Sequence, residues 1–279
     1  MAASEYSDVV QTARSYYNSD DADTFYYTVW GGEDIHIGLY QDEVEPIRDA
    51  SRRTVAAMAD RLSATPDSRA IDLGGAYGGS PRYVAAKFGC HVVSLNLSEV
   101  QNQRARQQNA DAGLSDQVTV VDGNFESIPY EDNSFDIAWS QDSFLHSGNR
   151  DKVMEEIKRV LKPGGELIFT DPMETENATR DQLQPVLDRI QLESMGSPQF
   201  YERKLGELGF EKVAFEDHSE QLPRHYGRVK QELESRYDEL LGTISQTYLD
   251  NMITGLGHWV DNGRAGNLCW GIFHFRLPG

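Results

Sequence analysis

The sequence predicts an open, doubly wound α/β fold with a helical cover in front of it and a helical lid inserted late in the chain. Three observations carry this expectation. From Ala70 onward, short apolar runs alternate with amphipathic helical stretches, the pattern of βαβ units and a parallel sheet. The first run feeds a glycine-rich turn, Asp72-Leu73-Gly74-Gly75-Ala76-Tyr77-Gly78-Gly79, that opens a helix. Residues 219–267 are largely helical in composition and too long for a plain connection between strands.

The elements follow in order. Residues 1–65 are polar and aromatic, with helical periodicity over Ser7 to Tyr17 and Val44 to Leu62 on either side of TVWGGEDIHIGLY, and form the N-terminal cover. Strands are expected at Ala70–Leu73, His91–Leu95, Val118–Val121, Phe135–Trp139 and Leu167–Thr170. Helices lie between them near Pro81–Phe88, Ser98–Ala112 and Arg150–Leu161. Lys162-Pro163-Gly164-Gly165 stops the last helix, because proline cannot continue the hydrogen-bond ladder and glycine accepts the reversed backbone. A sixth strand is expected at Val213–Glu216 and a seventh at Gly271–Arg276. Residues 66–218 with 268–279 thus make the α/β domain, and 219–267 fold as a lid over the carboxyl edge of its sheet.

Composition bounds the function. Lys and Arg number 26 against 45 Asp and Glu, a formal charge of −19 that opposes binding to nucleic acid. Such a carboxylate excess keeps a protein hydrated in strong salt, which suggests a host with a salty cytoplasm. The two cysteines, Cys90 and Cys269, lack metal-ligand spacing and fit a reducing compartment. The amino-terminal segment has no basic region followed by an apolar one, and no run of 18 apolar residues occurs. A cytoplasmic protein that works without a membrane, as monomer or homodimer on a small molecule, is expected. No H-E-x-x-H or H-x-x-x-H pattern points to a metal, and no G-x-S-x-G elbow to acyl transfer.

Small residues in the Gly74–Gly79 turn let the backbone approach a ligand at the carboxyl end of the first strand. Ala76 stands where a dinucleotide fingerprint requires its second glycine, so a nicotinamide is disfavoured. Three further strand ends, Leu95-Asn96-Leu97-Ser98, Asp122-Gly123-Asn124-Phe125 and Trp139-Ser140-Gln141-Asp142, converge on the same crevice. Taken with RVLKPGGELIFTDPM, the set DLGGAYGG, LNLSEVQNQR and GNFESIPYEDNSFDIAWSQDSFLH resembles the Rossmann-like class I methyltransferases over residues 65–175. DDADTFYYTVWGGEDIHIGLY, HYGRVKQEL and GLGHWVDNGRAGNLCWG extend the likeness over nearly the whole chain to the sarcosine/dimethylglycine N-methyltransferases that make glycine betaine.

That resemblance implies a seven-stranded, mostly parallel sheet and S-adenosyl-L-methionine as cofactor, with S-adenosyl-L-homocysteine released and no metal. It implies methionine contacts at Gly74 and Ala76, helped by Gly75, with Ser140 near the same moiety. Asn96 and Leu97 would meet the ribose, supported by Gln101, while Asn124 and Phe125 would flank the adenine and Ile37 and Gly38 would reach in from the cover. Asn96 and Asn124 depart from the acidic residues common in class I members, so hydrogen bonds there carry less charge assistance.

Transfer from a sulfonium is an in-line displacement, so the protein chiefly supplies alignment and exclusion of water. An alkyl amine resembles lysine with a pKa of about 10, and only its neutral form attacks, so the site must favour that form. Gln141 and His146 are the candidates for this work. A nitrogen approaching the quaternary state is best surrounded by aromatic faces, and Tyr26, Tyr27, Trp30, Trp139, Phe144, His258, Trp259 and Trp270 supply the choice, with Tyr26, Trp30 and Trp259 favoured. Pro172 and Met173 suit an already methylated nitrogen, hence sarcosine or dimethylglycine rather than glycine. For the acceptor carboxylate, Arg264 is preferred over Arg48 and Arg224. The alternatives are a methyltransferase for another small amine or a lipid-like nucleophile, and a cofactor-binding scaffold without catalysis.

Overall fold

The apolar runs after Ala70 become the strands of one sheet. The computed structural model describes residues 6–279. Its strands are β1 (Arg69–Leu73), β2 (His91–Asn96), β3 (Val118–Asp122), β4 (Phe135–Gln141), β5 (Leu161–Thr170), β6 (Met173–Glu174), β7 (Glu211–Asp217), β8 (Leu268–Cys269) and β9 (Gly271–Arg276). Seven lie in the order β3-β2-β1-β4-β5-β9-β7, and β6 pairs with β8 in a separate ribbon. Strands β1 to β5 pair in parallel, whereas β9 runs antiparallel to both β5 and β7. Strand order therefore reverses between β1 and β4, and that switch point is where an open α/β sheet leaves a crevice at its carboxyl edge.

Strand β5 starts earlier than its apolar run suggests. Leu161 pairs with Phe135, and the register then shifts before Glu166 meets Ile137. Gly164, at φ +84°, accommodates the irregularity. The Pro-Gly-Gly stretch thus ends the preceding helix and bulges the strand that follows.

The helices are α1 (Asp8–Tyr17), α2 (Asp20–Phe25), α3 (Ile47–Ala59), α4 (Gly79–Phe88), α5 (Glu99–Asp111), α6 (Arg150–Val160), α7 (Arg180–Ile190), α8 (Pro198–Glu207), α9 (Gln221–Ser235), α10 (Tyr237–Leu240) and α11 (Gln246–Arg264). Side chains satisfy the free N–H groups of several first turns: Ser7 caps α1, Ser98 caps α5, Asn149 caps α6 and Ser245 caps α11. Thr179 and Gln182 form a reciprocal capping box on α7. A π-helical turn, Tyr26–Trp30, continues α2 and ends at Gly31.

Three apolar clusters hold these layers. One joins Met154 and Ile157 of α6 and Tyr201 of α8 to Phe135, Phe169 and Phe273 of the sheet. A second packs Val55 and Met58 of α3 and Val84 of α4 against Trp139 and Ile168. The third unites the cover with the lid through Phe25, Trp30, Leu233, Leu249 and Trp259, and it also takes in Leu183, Val186 and Leu187 of α7. Helix α7, which the sequence groups with the sheet domain, therefore packs with the lid.

Candidate active site

The turn after β1 needs its glycines for two reasons. Gly74 has φ +91° and Gly78 φ +78°, backbone that side chains disfavour. A β-carbon on Gly74 would also sit 2.6 Å from Ser143 Cβ, and one on Gly75 would meet Ser94, 3.3 Å from its Cβ. The adjacent strand tips therefore crowd the loop, whose Gly74 N–H donates to the Leu95 carbonyl at 2.8 Å.

This loop opens on a cavity whose walls include Gly74, Ala76, Asn96, Leu97, Gln101, Asn124, Phe125 and Ser143, with Val10, Ala13 and Tyr17 of α1 also lining it. Its polar groups have specific valences left over. Asn96 Nδ2 donates to Gln101 Oε1 and Asn102 Oδ1, both at 3.1 Å, which leaves Asn96 Oδ1 as an acceptor. Gln101 Nε2 is a buried donor with no partner. An acceptor beside a donor is the complement of a vicinal diol. Asn124 Oδ1 accepts from the Glu126 N–H at 2.9 Å, leaving its NH₂ free at a cavity that Phe125 also lines. A flat heterocycle with a ring acceptor fits there.

A smaller recess continues beneath the loop, lined by Asp34, His36, Asp72, Gly75, Ser80 and Gln141. Burial, reinforced by the Asp34 charge, pushes the Asp72 carboxyl up to about 8. Burial would raise Asp34 too, but hydrogen bonding and charge from His36, with Arg52 and Arg82, hold it below the ordinary range. Gln141 Oε1 accepts from Ser80 Oγ at 2.5 Å and Trp139 Nε1 at 3.1 Å, and its NH₂ is buried without a partner. A cation brought beside Asp72 would offset that burial and restore its charge, and the free Gln141 NH₂ would meet an acceptor, the two ends of an amino acid.

On the other side lies a cavity lined by Tyr16, Tyr17, Tyr26, Trp30, Pro172, Arg189, Tyr226 and Trp259 among others. Ala13, Tyr17, Ile35, Asp142 and His146 line both large cavities and so form the partition between them. The aromatic walls are organised: Tyr26 and Trp30 rings lie 5.1 Å apart on the π-helical turn, and Tyr226 stacks on Trp259 at 4.6 Å. Arg189 pairs with no carboxylate of the described residues, and its Nη2 has only Met252 Sδ, a weak acceptor, at 2.9 Å. Burial works against its charge, and Tyr26, Tyr16, Tyr226 and Tyr248 more than offset that effect.

In the partition, Tyr17 Oη and His146 Nε2 are 2.8 Å apart. Burial, together with the Arg189 and Arg150 charges, lowers His146 to about 4, so its imidazole is neutral at physiological pH. Asp142 adopts φ +50° and is held by Ile37 N–H at 2.6 Å, Thr170 Oγ1 at 2.7 Å and Trp270 Nε1 at 2.8 Å. Those donors come from the cover, β5 and the residue before β9, so one carboxylate ties three parts of the molecule to the partition.

Several expected residues lie elsewhere, for reasons of backbone alternation. Ile37 is buried in the core and gives Asp142 only its N–H, and a side chain on Gly38 would strike Ala50; in that segment it is Ile35 that lines both cavities. Ser140 is fully buried and donates to the Leu73 carbonyl at 2.7 Å, binding β4 to β1, while Ser143 lines the cavity. Gln141 lies in the loop-side recess and not in the aromatic cavity. Pro172 faces that cavity, but Met173 is turned into the sheet core. Arg264 is exposed in the last turn of α11, where a cation complements the helix dipole. Arg48 is 77% exposed and Arg224 donates to the Tyr40 carbonyl, so Arg189 is the arginine of the cavity. Trp139, Phe144 and Trp270 are fully buried core rings.

Among the described residues no group of three or more His, Cys, Asp or Glu is placed to hold a metal, and no helix is long and apolar enough to cross a membrane. Residues 71–169 match the family model of a methyltransferase domain. A sarcosine/dimethylglycine N-methyltransferase of Halorhodospira halochloris is 55% identical, with 98% of this chain and 99% of that protein aligned. A glycine/sarcosine/dimethylglycine N-methyltransferase of Actinopolyspora halophila is 56% identical over 97% of this chain and 48% of its own length. The crystal structure of a Galdieria sulphuraria protein assigned as a sarcosine dimethylglycine methyltransferase has a TM-score of 0.89 at 44% identity, covering 94% of this chain and 99% of that one.

Proposed function

Because the chain belongs to the sarcosine/dimethylglycine N-methyltransferases, we propose that it transfers methyl groups from S-adenosylmethionine to sarcosine and dimethylglycine, giving glycine betaine and S-adenosylhomocysteine. The cofactor, when bound, supplies an electrophilic methyl on a sulfonium. The residues present fit it: Asn96 Oδ1 and Gln101 Nε2 address the ribose hydroxyls, Asn124 and Phe125 the adenine, and Asp72 and Gln141 the methionine ammonium and carboxylate. No metal is assigned a role, and the charge of −19 agrees with a small zwitterionic acceptor handled in the cytoplasm, away from nucleic acid and membrane.

The observation that carries the acceptor assignment is Arg189, a cation without a carboxylate partner among the described residues, set in the wall of an aromatic cavity that adjoins the cofactor cavity. Its guanidinium receives the acceptor carboxylate, while Tyr26, Trp30 and Trp259 face the methylated nitrogen and favour the charge that develops on it.

Proton accounting decides how the amine becomes reactive. Moving a proton from an amine of pKa about 10 to His146, at about 4, is uphill by roughly 8 kcal/mol, since each pKa unit is about 1.4 kcal/mol. Selecting the neutral amine from solution near pH 8 costs only about 3 kcal/mol by the same measure. The second route wins. His146 therefore orients Tyr17 through the hydrogen bond between its Nε2 and the Tyr17 hydroxyl in the partition; it is a positioning residue rather than the base.

A substrate panel tests the reading. Sarcosine and dimethylglycine should be methylated, and N,N-dimethylethanolamine, with the same nitrogen but no carboxylate, should not. Arg189→Gln should raise the dimethylglycine KM about 30-fold or more while leaving the cofactor Kd within about twofold. Equal turnover of dimethylethanolamine, or an Arg189→Gln enzyme with unchanged KM, would show that the cavity does not select a carboxylate.

A further inference from the structure

The lid helix α11 carries a buried glycine, Gly255, in its interior, where glycine weakens a helix relative to alanine. No turn, bend or reversed backbone at that point calls for it. What fills the space is a side chain from another element: a β-carbon built on Gly255 would lie 2.7 Å from Arg189 Nε and 3.1 Å from Arg189 Cγ, and closer still to Cδ. The arginine stem thus crosses α11 at a position that lacks a side chain, while Met252, one turn earlier on the same helix, meets its Nη2 at 2.9 Å. By contrast, Gly257 on the same helix has nothing nearer than Lys230 Cε at 4.0 Å.

We infer that Gly255 is a positioning residue for the acceptor site: its missing side chain forms the notch through which the lid helix seats the Arg189 stem and aims the guanidinium into the cavity. The inference rests on Arg189 receiving the acceptor carboxylate, as proposed above. A methyl group in the notch cannot be absorbed at the far tip of the arginine, because the atoms it meets are in the stem, so the head must swing away. The lid then contributes to specificity by shape as well as by its own aromatic residues.

Gly255→Ala, Gly257→Ala, Arg189→Ala and the double variant Gly255→Ala/Arg189→Ala separate the possibilities. Gly255→Ala should raise the dimethylglycine KM about tenfold or more, with kcat changed less than about threefold, cofactor Kd unchanged and thermal stability retained. Gly257→Ala, which makes the same helix-favouring exchange without meeting Arg189, should behave as the parent. In the Arg189→Ala background the Gly255 exchange should add less than about twofold to the loss in kcat/KM, because the stem it obstructs is gone. Should Gly255→Ala fail to fold, recovery of folded protein in the double variant supports the contact, and continued misfolding overturns it. Gly255→Ala with a parental KM, or an undiminished Gly255 effect without the arginine, overturns the notch while the Arg189 reading stands; an Arg189→Ala enzyme with a parental KM overturns the reading beneath it.

Discussion

His146 shows how one residue's surroundings set its use. Its imidazole is held to about 4 by burial and by the arginines near it, whereas in the unfolded chain it titrates near 6.5. Between those values the unfolded state binds a proton that the native state refuses, so the stabilisation is complete above about 6.5 and is lost as pH falls toward 4. The part belonging to His146 is on the order of 3 kcal/mol. Unfolding of the parent and of His146→Gln by denaturant from pH 7 to pH 4 checks this: the variant should lose less stability over that window. His225, lowered to about 3 by burial and by His36, keeps the variant from becoming pH-independent. On the activity side, kcat/KM for dimethylglycine should climb about tenfold per pH unit below the amine pKa in both enzymes; a slope that vanishes in His146→Gln would make the histidine the base after all. At this scale the sequence singled out Gly74, Ala76, Asn96, Leu97, Gln101, Asn124 and Phe125 by motif, and all of them border one cavity at the glycine-rich loop. The sequence did not single out Arg189, whose value depends on where α7, with Pro185 inside it, packs. A solvent-facing arginine and a cavity arginine look alike until the third cluster is assembled.

Among the elements, α11 does more than cover the site. Trp259 stacks on Tyr226 of α9, and both line the aromatic cavity but not the one at the glycine-rich loop. Trp259→Ala should therefore raise the dimethylglycine KM by about tenfold or more while the cofactor Kd moves less than about threefold, read by steady-state kinetics and calorimetry. Equal losses in both would mean that the lid had loosened as a whole. The strands and helices after Ala70 were readable because alternation and capping residues mark them within a few positions. Strand β5 was foreshortened because a bulge hides its first half, and α7 was missed because a connection between strands can hold helices that no glycine-rich or apolar run announces. Within an extended segment, a shift of one residue exchanges wall for core, as with Pro172 and Met173 or Gln141 and Ser140.

For the whole molecule, the excess of 45 acidic over 26 basic residues makes self-repulsion a standing cost in dilute buffer. Salt shortens the range of that repulsion from about 30 Å at 0.01 M to about 3 Å at 1 M. Melting in about 1 M KCl should accordingly occur roughly 5 °C or more above melting at about 0.01 M, and a midpoint that falls with salt would show that individual ion pairs outweigh net charge. Cover, sheet and lid differ in periodicity along the sequence, but the aromatic cavity draws walls from α1, the π-helical turn, α7, α9 and α11 together, which no single stretch of sequence displays. Strand order carries a consequence for biosynthesis. Because β9 inserts between β5 and β7, the sheet stays split while the ribosome is still making the lid, and neighbouring edges remain open until residues 271–276 emerge. Nascent chains halted before that point should expose two unpaired strand edges and recruit chaperones, and the binding crevice matures only after translation has passed its last strand.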